Sequence, residues 1–157
     1  MLQRIGIYEI LERIGGGAFG TVYRARDTVL DRIVAVKVIN QPVTDDPELL
    51  ESLQREPRFA ARLTHPNVVT DHDFQVEGGT AYIVMGFLPN SLDKHIRPEQ
   101  PIPYRRASEI AIEVSRDLAH AHTQGVIHRA IKPGNILLTS GWGGSVRLSW
   151  WDRSTIL

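Results

Sequence analysis

Cysteine is absent from all 157 residues. That excludes a disulfide framework, a thiolate nucleophile and any Cys-based metal site, and it suits a reducing cytoplasm, which is the expected location. An excess of either charge is absent too. Eighteen Lys and Arg balance 18 Asp and Glu, so neither a long-range field nor a polybasic run draws the chain to nucleic acid or an anionic membrane. Long apolar runs are missing. The longest, Ile33 to Ile39, is interrupted by Lys37, and a membrane span needs roughly 20 apolar residues. The N-terminus MLQRIGIYEI has no signal-peptide pattern, and the six His show no metal-ligand spacing. No repeat or low-complexity tract occurs.

What is present is 42% hydrophobic residues, enough for one ordinary domain or for two small lobes sharing a cleft. Tyr8 to Arg13, Thr21 to Asp27 and Ile33 to Ile39 read as strands, rich in β-branched and aromatic residues and separated by Gly15-Gly16-Gly17 and Leu30-Asp31-Arg32. Strand, tight turn, strand predicts an antiparallel meander. A helix is expected from Asp45-Asp46-Pro47, with Leu49, Leu50, Leu53, Ala60 and Leu63 on its apolar face and Pro57 inside it. Two further strands, Thr70 to Gln75 and Thr80 to Phe87, flank Glu77-Gly78-Gly79. After Leu88-Pro89-Asn90 the character changes. A short helix near Ser91 to His95 precedes a long one over Tyr104 to Thr123, whose stripe Ala107, Ile110, Ala111, Val114, Leu118 and Ala121 reads as core and which Gly125 ends. Short strands are expected at Val126-Ile127, Ile136 to Leu138 and Val146 to Ser149.

Three stretches carry chemistry. In IGGGAFGTVY, Gly15, Gly17 and Gly20 have G-x-G-x-x-G spacing, which lets backbone amides approach phosphates unobstructed. A dinucleotide-binding turn would open a helix. Here TVYRARD continues as a strand, which favours a β-hairpin clamped over a nucleotide, against the plain alternative of a Gly-rich turn. VAVK places Lys37 on a strand among apolar neighbours. It reads either as a solvent-facing edge lysine or as the ammonium that grips α- and β-phosphates, and Glu56, otherwise a solvated helix-face carboxylate, could hold it. Finally, HRAIKPGN has the frame of a phosphoryl-transfer loop, except that Ala130 occupies the place of the Asp that takes the hydroxyl proton.

Taken in order, IGGGAFGTVYRA, VAVK, Glu56, HPNVV, YIVM, GVIHR and KPGNILL resemble the protein kinase family, in its bacterial serine/threonine branch, over residues 8 to 149. The resemblance implies an α+β kinase-like fold with a five-stranded antiparallel N-lobe sheet and one helix (1–85), a hinge (86–90) and an incomplete helical C-lobe (91–157). It further implies that Gly15, Gly17 and Gly20 cover the phosphates of ATP and that Lys37 pairs with Glu56. Val22 and Ala35 would roof the adenine and Leu137 would floor it. Met85 takes the gatekeeper place, and Phe87 and Leu88 offer backbone hydrogen bonds to the purine. Lys132 would reach the transferred phosphate, and Asn135 would hold magnesium. His65 and His128 match packing positions.

The sequence also departs from that family. A methyl group at Ala130 can neither accept a proton nor orient a hydroxyl, and a general base is worth typically about 10²–10⁴-fold. VRLSWWD aligns with the strand that ends in the metal-binding Asp, and puts Trp150 there. A two-residue slip would bring Asp152 to the metal while preserving side-chain facing, but the bulk of two indoles opposes it. Pro57 directly follows Glu56 and pushes it out of helical geometry. Gly86 replaces the usual acidic hinge residue. The chain ends at Leu157, before an activation segment, and its tail loses family resemblance after Leu148, as a frameshift would produce. Three readings fit these residues: a truncated, catalytically inactive kinase-like domain with an ATP cleft and little magnesium; a protein-interaction module docking through the exposed C-lobe helix, or a decayed fragment; and residual ATP-dependent serine/threonine phosphorylation.

Overall fold

A computed structural model describes residues 4–16, 20–40, 47–48, 50–51, 71–128 and 131–149. They fall in two compact units that divide between Phe87 and Leu88.

The first unit is an antiparallel sheet. Its strands are β1 (Arg4–Ile5), β2 (Tyr8–Gly16), β3 (Gly20–Asp27), β4 (Arg32–Ile39), β5 (Asp71–Glu77) and β6 (Thr80–Gly86), in the order β1-β2-β3-β4-β6-β5. Six strands replace the expected five. The extra one, β1, folds back on β2 with Ile5 opposite Tyr8, because Gly6 adopts a left-handed φ of 52° and reverses the chain in two residues. So short a segment has no periodicity to read. The β5–β6 hairpin turns through Gly78 and Gly79, both at positive φ, as a two-residue hairpin matched to strand twist requires.

Strand alternation sorts the side chains. Ile5, Tyr8, Ala25, Val34, Val36, Tyr82 and Val84 form one buried cluster, with Ile10 and Val38 against it. The even-numbered residues of β4 and β6 therefore face this core. Their odd-numbered neighbours Ala35, Lys37, Ile83 and Met85 point the other way, and they too are buried. Both faces of the central strands are covered, which explains why IVAVKVI and AYIVM read as near-continuous apolar runs.

The second unit holds β7 (Asn90–Ser91), β8 (Ile136–Leu138) and β9 (Val146–Leu148), paired antiparallel in that order. Its long helix, α1, spans Tyr104–Thr123 and packs on β9. A Schellman motif ends α1: Val126 N donates to Ala121 O and Gly125 N to His122 O, both at 3.0 Å, with Gly125 at φ 74°.

Two expectations are corrected. Val126-Ile127 is not a strand; Val126 is used up in closing the helix. The stripe on α1 is only partly core: Ile110, Val114 and Ala121 are buried, Leu118 is half-buried, and Ala107 and Ala111 are exposed. The buried line instead runs 110, 114, 117, 121 and includes Asp117, at the 3–4 residue spacing of one helix face. Of the expected helix after Asp45, Pro47, Glu48, Leu50 and Glu51 are helical; the rest, with Pro57, lies outside the described residues. Among the described residues no helix is long and apolar enough to cross a membrane.

Candidate functional site

The sheet register gathers most of the sequence-predicted residues of the first unit on one face. Val22 pairs with Lys37 and Arg24 with Ala35 across β3 and β4. Ala35 pairs with Met85 and Lys37 with Ile83 across β4 and β6. Since these are direct opposites, Val22, Ala35, Lys37 and Met85 share the face opposite the core cluster.

Lys37 is only 3% exposed. A lysine removed from water this far is costly unless charged or polar groups meet its ammonium, and it does have an interaction partner. Its stem packs under β3: a Cβ built on Gly20 would lie 3.3 Å from Lys37 Cε and 2.9 Å from the Val38 carbonyl oxygen. Glycine at 20 thus lets two backbones and a long cationic side chain share one space.

The Gly-rich turn differs from its motif in which glycine is indispensable. A methyl group on Gly15 would meet nothing within 4 Å, whereas Gly16 lies at φ 146° and its Cβ would come within 3.0 Å of Gly20 O and Thr21 Cα. Gly16 is an x of G-x-G-x-x-G, so the motif gave no signal for it. β-Bulges between Ile10 and Glu12 and between Arg13 and Gly15 shift the register on the way to this turn. Arg24, on the same face as Ala35, is held by Glu12 with Nε 2.5 Å from Oε1. Gly17 and Glu56 lie outside the described residues, as do His65, Ala130, Trp150 and Asp152. Phe87 and Leu88 follow β6 and are half-buried.

The second unit places Lys132 and Asn135 around one 3₁₀ turn, Pro133–Asn135. Asn135 N donates to Lys132 O at 2.9 Å, and Ser149 N donates to Asn135 O at 2.9 Å. Asn135 is buried. His128 is buried as a packing residue would be, its Nε2 2.8 Å from Ser149 O. A carbonyl can only accept, so Nε2 carries the proton. Leu137 lies on β8 opposite Arg147 and Ser91.

The donor chemistry differs for the two ligands that the sequence suggests. Gly20, Val22, Ala35, Lys37 and Met85 form an apolar surface with one buried cation, which suits a nucleotide. A divalent cation such as magnesium prefers several oxygen donors, carboxylates among them. Asn135 offers one amide oxygen, and among the described residues no three His, Asp or Glu converge to hold a metal.

Other buried polar groups gave weaker sequence signals. Asp27 accepts from Val29 N and Leu30 N, each at 3.0 Å. These backbone N–H bonds, chiefly that from Leu30, and Arg32 nearby hold its carboxyl below the ordinary range despite burial. Asp followed by a turn is a readable Asx signature. Asp117, fully buried mid-helix, is not, because helix charges mostly face solvent. Tyr82 O–H donates to Gln75 Oε1 at 2.7 Å. Burial, then Glu77, Tyr8 and Asp73, pushes its phenol up to about 12.

Comparison with known proteins gives the family. Residues 8–155 match the family description "Protein kinase domain". Over 134 residues the chain is 38% identical to the serine/threonine-protein kinase PrkC of Bacillus subtilis, covering 85% of this chain and 21% of that protein. It is 37% identical over 139 residues to PknE of Mycobacterium bovis, covering 87% and 24%. With PknK of Mycobacterium tuberculosis it shares 42% identity over 135 residues, covering 84% and 12%. This chain belongs to the protein kinase family, in the bacterial serine/threonine type. It spans about a fifth of the length of PrkC. The family transfers a phosphoryl group from ATP with magnesium to protein hydroxyls.

Proposed function

We propose that this chain is an ATP-binding kinase-family domain whose phosphoryl transfer is disabled. The carrying observation is the buried Lys37 on a sheet face with Val22, Ala35 and Met85, beneath a glycine that admits its stem. In this reading 1–85 is the N-lobe, 86–90 the hinge and 91–157 a partial C-lobe; the division between Phe87 and Leu88 supports it. Gly15, Gly17 and Gly20 cover the phosphates, Lys37 holds them with Glu56 as its counter-charge, and Phe87 and Leu88 offer backbone groups to the purine. Leu137, Lys132 and Asn135 keep the roles that the family resemblance gives them.

Two substitutions disable transfer. Ala130 supplies no base, and Trp150 supplies no carboxylate where the principal metal ligand belongs, so charge on the β- and γ-phosphates goes unneutralised. Nucleotide binding then depends little on magnesium. A cytoplasmic location accords with a chain without cysteine. A protein partner docking on α1 is a second reading, favoured by the exposed Ala107, Ala111 and Ile112.

The test is thermal denaturation with ATP, with and without magnesium, beside a phosphate-transfer assay on a generic protein substrate. A ligand that binds only the folded chain raises its stability by about 2.7 kcal/mol at a hundredfold excess over Kd. The expected result is a shift that is indifferent to magnesium, abolished by Lys37→Met, and without transfer. Transfer that Lys37→Met abolishes would instead mean residual kinase activity.

A further inference from the structure

Within the second unit lies a cavity that no kinase role uses. It measures about 490 Å³, inside the range of small-molecule sites. Trp142, His95, Pro101 and Pro103 line it with apolar and ring surface, and Lys94 and Arg97 add charge. No acidic side chain is among its described lining residues.

The aromatic wall is preformed. Arg106, from the first turn of α1, donates from Nε to Trp142 O at 3.1 Å and from Nη2 to Gly144 O at 2.6 Å, and its guanidinium lies 5.9 Å from the indole centroid. Glu113, two turns on, accepts from Val146 N at 2.9 Å. One helix thus holds the loop that carries Trp142 at Trp142, Gly144 and Val146. The His95 ring stacks obliquely on the indole at 5.1 Å. Also in the lining, the Arg97 turn is closed by Gln100 N donating to Arg97 O at 3.1 Å.

The polar groups are left open. The Arg97 guanidinium makes no hydrogen bond or ion pair among the described residues. Among the same residues Lys94 donates once, to Pro89 O at 3.0 Å, and an ammonium has three hydrogens. His95 Nε2 is itself closed off and has no hydrogen-bond partner among the described residues, so the ring contributes its face rather than a donor. Two cations with no carboxylate in the described lining, beside a fixed indole, suit an anion on an apolar body and disfavour an amine.

We propose that this cavity binds a small organic anion, its carboxylate or equivalent acidic group at Arg97 and Lys94 and its apolar body against Trp142. The proposal does not rest on nucleotide binding. Phenylacetate serves as the probe and phenylacetamide as its neutral isostere, in titration calorimetry and ligand-observed NMR on the full chain. Phenylacetate should bind saturably, phenylacetamide should not, and the exposed Arg97→Gln variant, its fold checked by circular dichroism, should bind about tenfold more weakly, as expected for a lost charged hydrogen bond. Adding ATP should leave phenylacetate bound. Absence of saturable phenylacetate binding, equal binding of the amide, or undiminished binding by Arg97→Gln would each overturn the assignment. Displacement by ATP would place the probe in the nucleotide site and also overturn it. So would capture of a Glu-rich peptide without phenylacetate, which would assign the cavity to a protein partner.

Discussion

Gly20 lies over the stem of Lys37, so close that a methyl group on the glycine would sit 3.3 Å from Lys37 Cε. The contact couples the start of β3 to the buried cation on its face of the sheet. Gly20→Ala must also displace the Val38 carbonyl, 2.9 Å from the added carbon, and backbone yields less readily than a side chain. Overpacking of this kind costs about 1–3 kcal/mol. Urea denaturation should show that loss, and ATP-induced stabilisation should fall with it as the Lys37 ammonium is pushed aside. An unchanged midpoint would mean that β3 can move freely.

Gly15 and Gly16 should respond in opposite ways. Gly15→Ala meets open space and is expected to leave stability nearly unaltered. Gly16→Ala forces an L side chain to φ 146° and into Gly20 O and Thr21 Cα, a strain of about 1–3 kcal/mol. Parallel denaturation curves of the two variants decide this, and equal effects would reject the turn geometry.

Asp27 should make the fold acid-sensitive. Its folded carboxyl titrates below the ordinary 3.8, chiefly because Leu30 N–H and Val29 N–H stabilise the charged form. Stability from the ionised group is therefore present above pH 3.8 and is lost as pH falls through the lower, folded value. Asp27→Ala should be less stable than wild type at neutral pH, and the gap should narrow below pH 3.8. A pH-independent gap would show that the turn ignores the charge.

At the alkaline end Tyr82 contributes, as does Tyr8, whose phenol burial also raises. With the Tyr82 phenol raised from 10.0 to about 12 by burial, its contribution is complete below pH 10.0 and is lost as pH rises toward 12, because the unfolded chain ionises first. Tyr82→Phe removes the bond to Gln75, worth about 0.5–1.5 kcal/mol, and should flatten the fall in stability above pH 10.0. Titration by ultraviolet absorbance would show late-ionising tyrosine in wild type and less of it in the variant, where Tyr8, also raised by burial, remains.

Arg106→Ala should loosen the Trp142 loop. Two charge-assisted bonds to backbone carbonyls disappear, each worth about 1.5–3 kcal/mol at most. Arg106→Lys should recover only part of that, since a single ammonium cannot reproduce the planar fork. Hydrogen exchange at Ser140 to Val146 is the direct readout, and protection unchanged in Arg106→Ala would refute the bracing role.

Local chemistry in the sequence determined a good deal of this protein. β-Branched and aromatic runs bounded by turn residues marked β2 to β6, Gly78-Gly79 marked a hairpin turn, and the 3.6-residue stripe with Gly125 gave the limits of α1. The order of IGGGAFGTVY, VAVK and KPGN carried the family. Each depends on residues close along the chain, where propensity and spacing act directly.

Other features were decided only in three dimensions. Which glycine must be a glycine depended on how β2 and β3 approach each other, so Gly16 outranks Gly15. That Val22, Ala35, Lys37 and Met85 share a face follows from the register of three strands, two of them far apart along the chain. The burial of Asp117 and the exposure of Ala107 and Ala111 follow from which side of α1 meets β9. The cavity around Trp142 joins two segments distant in sequence. Pairwise distance across the fold is set by the sum of all packing energies, and no local pattern encodes that sum.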